Sequence, residues 1–227
     1  NFKREAMKAP LLRDLLLTDS IYISSNITFD NLDPLSTYLG KPGDPAKGGI
    51  PFDEYLRRQR EHRDAEIRAL LDTPRFIEKA QTIYGYDRFI CDTGGSICEV
   101  VDADDPTDPV LTALSDCCLL IYIAGDKSHA DALKARFDQN PKPMYYNEDF
   151  LREVWADYLS ETGLAETAVD PDAFIRWAFA RLIDWRAPRY EAIAKNWGVS
   201  IPARDIEAVK TPEDFLSLVD RAVEAAH

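Results

Sequence analysis

Cysteine and histidine are scarce in this chain, at four and three residues. None of Cys91, Cys98, Cys117 and Cys118 forms a C-x-x-C pair, so the spacing that builds a zinc site is missing. Cys91, Cys117 and Cys118 fall in or beside apolar runs, which suits small buried thiols in a reducing, cytoplasmic compartment. No apolar run reaches the roughly 18 residues that a membrane-crossing helix needs. Residues 1–17 carry charges throughout and do not read as a secretory leader. Basic side chains are the minority, 27 against 40 acidic, so the net charge is 27 − 40 = −13. That deficit argues against a nucleic-acid-binding face, which must displace counterions from phosphates. It argues equally against docking on an anionic membrane. A nucleotide stays open where cations gather locally. An initial Met is also lacking, since the sequence starts Asn1-Phe2-Lys3.

What is present is globular in character: 45% hydrophobic and 11% aromatic residues, enough for a single domain over residues 1–227 with a real core. Short apolar runs at 88–91 (RFIC), 117–124 (CCLLIYIA) and 199–202 (VSIP) read as buried strands, with a weaker candidate at 21–24 (IYIS). Helical spacing fills the intervals: 53–71, 74–84, 128–137 with Ser128 as N-cap, 148–159, 172–183, and a last helix opening at Thr211-Pro212-Glu213-Asp214. In 148–159 the apolar stripe is Leu151, Val154, Trp155 and Tyr158; in 172–183 it is Phe174, Ala178, Phe179 and Leu182. Strands separated by helices predict βαβ units, hence an α/β fold with a parallel sheet. The proline- and glycine-rich stretch 30–51 is long for a connector, as functional or mobile loops are. Residues 102–109 (DADDPTDP) read as an acidic surface loop.

Four motifs could bear chemistry. Asp92-Thr93-Gly94-Gly95-Ser96 follows the first strand candidate, placing a carboxylate and a close-approach backbone where open parallel sheets bind ligands. After the strongest strand candidate come a helix bearing Arg136 and then Lys142, flanked by prolines; two cations near a strand edge suit a phosphate. The others are Trp185-Arg186-Ala187-Pro188-Arg189-Tyr190 and Arg60-Glu61-His62-Arg63-Asp64-Ala65-Glu66, either of which could equally be a salt-bridged helix face.

Taken in order, these motifs resemble the P-loop small-molecule kinases of the shikimate and gluconate kinase type, and more loosely bacterial P-loop ATPases. The likeness covers about residues 53–225. It runs through His62-Arg63-Asp64-Ala65-Glu66 for an F-R-x-x-E helix and Thr93-Gly94-Gly95-Ser96 for a glycine turn. Arg136 and Lys142-Pro143-Met144 follow for the lid, then the 186–190 helix and Thr211-Pro212-Glu213-Asp214-Phe215. The chain departs from the pattern at His62, at Ser96 and at Lys142, where the lid carries arginine. The resemblance implies a three-layer fold, a parallel sheet flanked by helices, with a loop insertion at 30–51 and a helical lid insertion at about 126–172. It implies ATP and Mg²⁺ as cofactors and a small-molecule phosphoryl acceptor as partner. Asp92 would hold the magnesium through water. Arg136 and Lys142 would close over the phosphates, Arg136, Arg186 and Arg189 would line the nucleotide, and Arg63, Gly94 and Gly95 would orient the acceptor. The family's G-x-x-x-x-G-K-[ST] loop has only Gly40-Lys41-Pro42 as a near match, and that proline supplies neither hydroxyl nor amide. The expectation is that the phosphate loop precedes Asn1. A non-catalytic binding or regulatory module and an α/β domain of unrelated function both stay open.

Overall fold

The computed structural model describes residues 38–85 and 88–226. The strand candidate at 21–24 and the first part of the 30–51 stretch lie outside the described residues. In chain order the elements are a 3-10 turn Pro45–Lys47, α1 (Phe52–Leu71), α2 (Thr73–Tyr84), α3 (Ile97–Val100), α4 (Pro109–Ser115), β1 (Leu120–Ala124) and α5 (Lys127–Gln139). There follow α6 (Glu148–Thr162), a 3-10 turn Glu166–Ala168, α7 (Pro171–Trp197), β2 (Gly198–Pro202), α8 (Ala203–Glu207) and α9 (Pro212–Ala226). The chain divides into two compact units, Asn1–Val100 with Lys142–Ile175 and Val101–Pro141 with Arg176–His227.

The first unit is built on aromatic packing among α1, α6 and the first turn of α7. The α6 stripe of Leu151, Val154, Trp155 and Tyr158 is buried as its spacing predicts. Phe52 stacks on Trp155 with ring centroids 4.8 Å apart, and Phe174 meets the edges of Trp155 at 4.7 Å and Tyr158 at 5.4 Å. Asn147 caps α6 by accepting from the amides of Asp149 and Phe150. The glycine-rich stretch, where described, is fastened down. Gly43 N–H donates to Ile50 O at 3.0 Å, Ile50 N–H to Lys41 O at 2.9 Å and Asp44 N–H to Val169 O at 2.8 Å. Lys41 Nζ pairs with Asp172 at 2.5 Å and Lys47 Nζ with Asp170 at 3.1 Å. Gly43 sits at φ 138°, and a Cβ there would stand 2.5 Å from Val169 O, so only glycine lets these backbones meet.

In the second unit β1 and β2 pair in parallel, Leu120 opposite Gly198 through Ala124 opposite Pro202. Val199 and Ile201 are buried, as are Ala178, Phe179, Leu182, Ile193 and Ala194 of α7. Phe137 of α5 stacks on Phe179 at 3.7 Å and Tyr122 on Tyr190 at 5.4 Å. Asp108 caps α4 through the amides of Val110 and Leu111, and its second oxygen accepts from Asp102 N–H, so the acidic 102–109 loop is folded back on itself.

This architecture overturns the three-layer, P-loop kinase-like parallel sheet. Among the described residues there are nine helices and one two-stranded parallel sheet. The segment at 88–91 forms no strand. Ile90 is 91% exposed there, and an apolar run of four cannot by itself tell a strand from a loop. In 117–124 only the last five residues pair, because the amides of Cys117 and Cys118 both turn back to Leu114 O at the end of α4. Even β1 is no buried central strand, since Ile123 is 52% exposed. The same turn leaves Cys117 exposed and Cys118 half-buried instead of in a core. Two helix limits also move. Asp126, not Ser128, caps α5, and α7 runs past 183 and through Pro188 to Trp197, absorbing the Trp185–Tyr190 motif.

Candidate functional site

In the first unit, α1 presents His62, Arg63 and Glu66 on consecutive turns, and the segment after residue 91 comes back onto them. Ser96 Oγ donates to Glu66 Oε1 at 2.5 Å, which sets the Asp92–Ser96 turn against α1. Asp92 Oδ1 accepts from Gly94 N–H at 2.9 Å, and Gly94 takes φ 68°, so the turn is closed by its own aspartate. Cys98 Sγ donates to Gly95 O at 3.6 Å, and Thr73 Oγ1 meets Cys91 Sγ at 3.9 Å. Glu66 Oε2 lies 3.6 Å from His62 Nδ1, and the His62 ring stacks on Tyr145 with centroids 5.1 Å apart.

A buried polar network seats Tyr145 there. Gln59 donates to Met144 O at 3.1 Å and accepts from Tyr146 N–H at 2.9 Å, while Tyr55 Oη donates to the same Met144 O at 3.0 Å. The Asn147 amide N–H donates to the buried Glu99 carboxylate, and Asn147 Nδ2 donates to Glu99 O at 3.3 Å. Burial pushes the Tyr145 phenol well above its ordinary range, and the charges of Glu99 and Glu66 add to this. Burial likewise pushes His62 down. These residues therefore present a neutral phenol and a neutral imidazole at physiological pH, beside two carboxyl groups and the exposed Arg63 guanidinium.

The sequence-predicted residues separate between the units. Arg63, Gly94 and Gly95 fall in the first and are brought near one another by the Ser96–Glu66 bond; Asp92 is exposed at the base of the same turn. Lys142, also of the first unit, is exposed three residues before Tyr145. Arg136, Arg186 and Arg189 belong to the second. Arg136 is exposed in the last turn of α5, and Arg186 is half-buried on α7. Arg189 lies 3.3 Å over the Trp185 ring, and its Nη1 donates to Trp185 O at 2.9 Å. Tyr145 and Glu99 carry no signal in the sequence, and Ser96 stands there only as the end of the glycine turn. Glu66 was visible as part of His62–Glu66, but nothing in the spacing tied it to Ser96, thirty positions away.

The second unit holds a separate charged cluster at the start of α5. His129 Nδ1 is 2.8 Å from Asp126 Oδ1 and its Nε2 is 3.3 Å from Glu207 Oε1. The Asp126 amide also points at Nδ1, at 3.3 Å. One nitrogen cannot accept from that amide and donate to that carboxylate at once. The neutral ring closes the capping box, and the cationic ring pairs with the two carboxylates. Hydrogen bonding to Asp126, then to Glu207, raises the His129 pKa, while Ser128 and then His129 hold Asp126 below the usual carboxylate range. The sign follows. A His raised in the folded state stabilises fully below its unfolded value near 6.5 and loses that contribution as pH climbs through its folded value. His62, shifted the other way, costs stability as pH falls below about 6.5. An NMR titration should show His129 midway above and His62 midway below the free imidazole value, with Glu207→Gln lowering only the former.

No helix among the described residues is long and apolar enough to cross a membrane. None of the described residues form a group of three or more His, Cys, Asp or Glu side chains placed to hold a metal ion. No family model, curated protein or solved structure matches this chain.

Proposed function

We propose that this chain serves ATP-dependent phosphoryl transfer to a small molecule, with its first unit holding the acceptor. The observation that supports it is the Ser96–Glu66 hydrogen bond. It draws Gly94 and Gly95 to the α1 turn that bears Arg63, the three positions assigned to the acceptor. Beside them stand a guanidinium to hold an anionic acceptor group and the neutral imidazole of His62 next to a carboxylate, which are parts of a general-base pair. Magnesium ordinarily takes one or two carboxylates, with waters and phosphate oxygens completing its shell. The single exposed carboxylate of Asp92 fits that role, with Oδ1 already engaged by Gly94. Bound there, the ion would neutralise phosphate charge.

Thermal denaturation with Mg·ATP tests the reading. A nucleotide that binds only the native state adds about 2.7 kcal/mol at a hundredfold excess over Kd, so the melting temperature should rise by several degrees. ATP consumption measured as ADP release should fall at least about tenfold in Asp92→Asn, the loss of one charge-positioning contact. No shift with Mg·ATP, or full turnover in Asp92→Asn, would reject it.

One observation favours a second reading, a binding or regulatory module without turnover. The Arg189 guanidinium is taken up by the Trp185 ring and carbonyl. A melting shift with Mg·ATP but no ADP release would select it.

A further inference from the structure

The structure assigns a dithiol site to Cys117 and Cys118, a site for a thiophilic centre that two sulfurs satisfy, of which a monosubstituted arsenic(III) is the simplest. The two thiols sit on the turn between α4 and β1 with Sγ atoms 3.7 Å apart, Cys117 exposed and Cys118 half-buried. The turn is held from the backbone. Both amides donate to Leu114 O, at 3.2 and 2.8 Å, and Cys117 Sγ faces Ala113 O at 3.2 Å.

That spacing suits a bridging atom better than a direct bond. Two sulfurs on one pyramidal arsenic(III), with bonds of about 2.3 Å at roughly 95°, stand about 3.4 Å apart, a few tenths of an ångström inside the 3.7 Å present here. A disulfide needs them at about 2.05 Å and prefers Cα atoms at roughly 4.4–6.8 Å, whereas neighbouring residues have theirs at about 3.8 Å. Closing Cys117 on Cys118 would therefore strain the turn; inserting a third atom asks only a small rotation of the two thiols. Because the described residues place no third metal-ligating side chain in a group with them, the centre must be content with two protein ligands.

With an organoarsenic(III) oxide the reaction is a condensation. Two As–S bonds form, the As=O bond and both S–H bonds break, and the two thiol protons leave with the oxygen as one water. No oxidation state changes, so no oxidant is required.

The test is intact-mass analysis of the full chain treated with one equivalent of phenylarsine oxide. The expected result is one adduct per chain that withstands excess 2-mercaptoethanol and is removed by 2,3-dimercaptopropanol. It should be lost in Cys117→Ser and in Cys118→Ser and kept in the Cys91→Ser, Cys98→Ser double variant. In the wild-type chain the adduct should shield Cys117 and Cys118, and neither other cysteine, from iodoacetamide, a reading independent of any variant's folding. An adduct that survives either single serine variant, shielding of Cys91 or Cys98 instead, or no adduct at all overturns the assignment.

Discussion

Replacing Phe174 by alanine should lower the unfolding free energy by about 3–5 kcal/mol, read as a fall in the urea midpoint with an unchanged slope. Phe174 is fully buried and its ring is the meeting point of two edge contacts, Trp155 at 4.7 Å and Tyr158 at 5.4 Å. The loss combines transfer of a phenyl ring to water with a cavity that rigid aromatic neighbours cannot refill. Against a typical total of about 5–15 kcal/mol, that is a large share of the margin. Phe174→Leu, which keeps most of the volume, should recover a substantial part. A loss below about 1 kcal/mol for the alanine variant would mean that the cluster repacks freely, contrary to the close packing expected of such interiors.

The second large effect is expected at Gln59. Its side chain is 2% exposed and bonds backbone on both sides, donating to Met144 O and accepting from Tyr146 N–H. Gln59→Leu keeps the bulk and removes both bonds. Met144 O retains Tyr55 Oη, but the buried Tyr146 amide loses its acceptor. Deleting a buried hydrogen-bonding partner costs about 1–3 kcal/mol, and chemical denaturation should show a loss in that range. The change should also reach the candidate site, because the same network seats Tyr145 against His62. The His62 ring resonances should move in Gln59→Leu while those of His129, in the other unit, stay in place. Unmoved His62 signals would show that Tyr145 is held by something other than Gln59.

How much of this could be read beforehand depended on whether a signal was local. The α6 stripe and the Phe174–Leu182 face repeat at helical spacing within single elements, and both came through as buried surfaces. The sheet did not, because pairing is non-local. The 88–91 and 117–124 runs have strand-like composition, but only Leu120–Ala124 finds a partner, at Gly198–Pro202. Half of the candidate site was legible in the same way. Arg63 and Glu66 announce themselves on one helix, and Gly94 and Gly95 on one turn. Ser96 and Tyr145 join them through bonds and ring contacts spanning 30 and 83 positions, 96 − 66 and 145 − 62, which no spacing rule reports.

Gly198 shows how narrowly the small sheet is defined. A Cβ there would stand 2.2 Å from Leu120 O, so the first rung of the pair admits only glycine. Sliding β2 by one residue would push Val199 into that gap and turn Ile201 from the core to solvent. Lengthening or shortening the 198–202 run by a single residue is thus worse than most substitutions within it. The glycine acts as a key that fixes the alignment of the two strands through backbone contact alone.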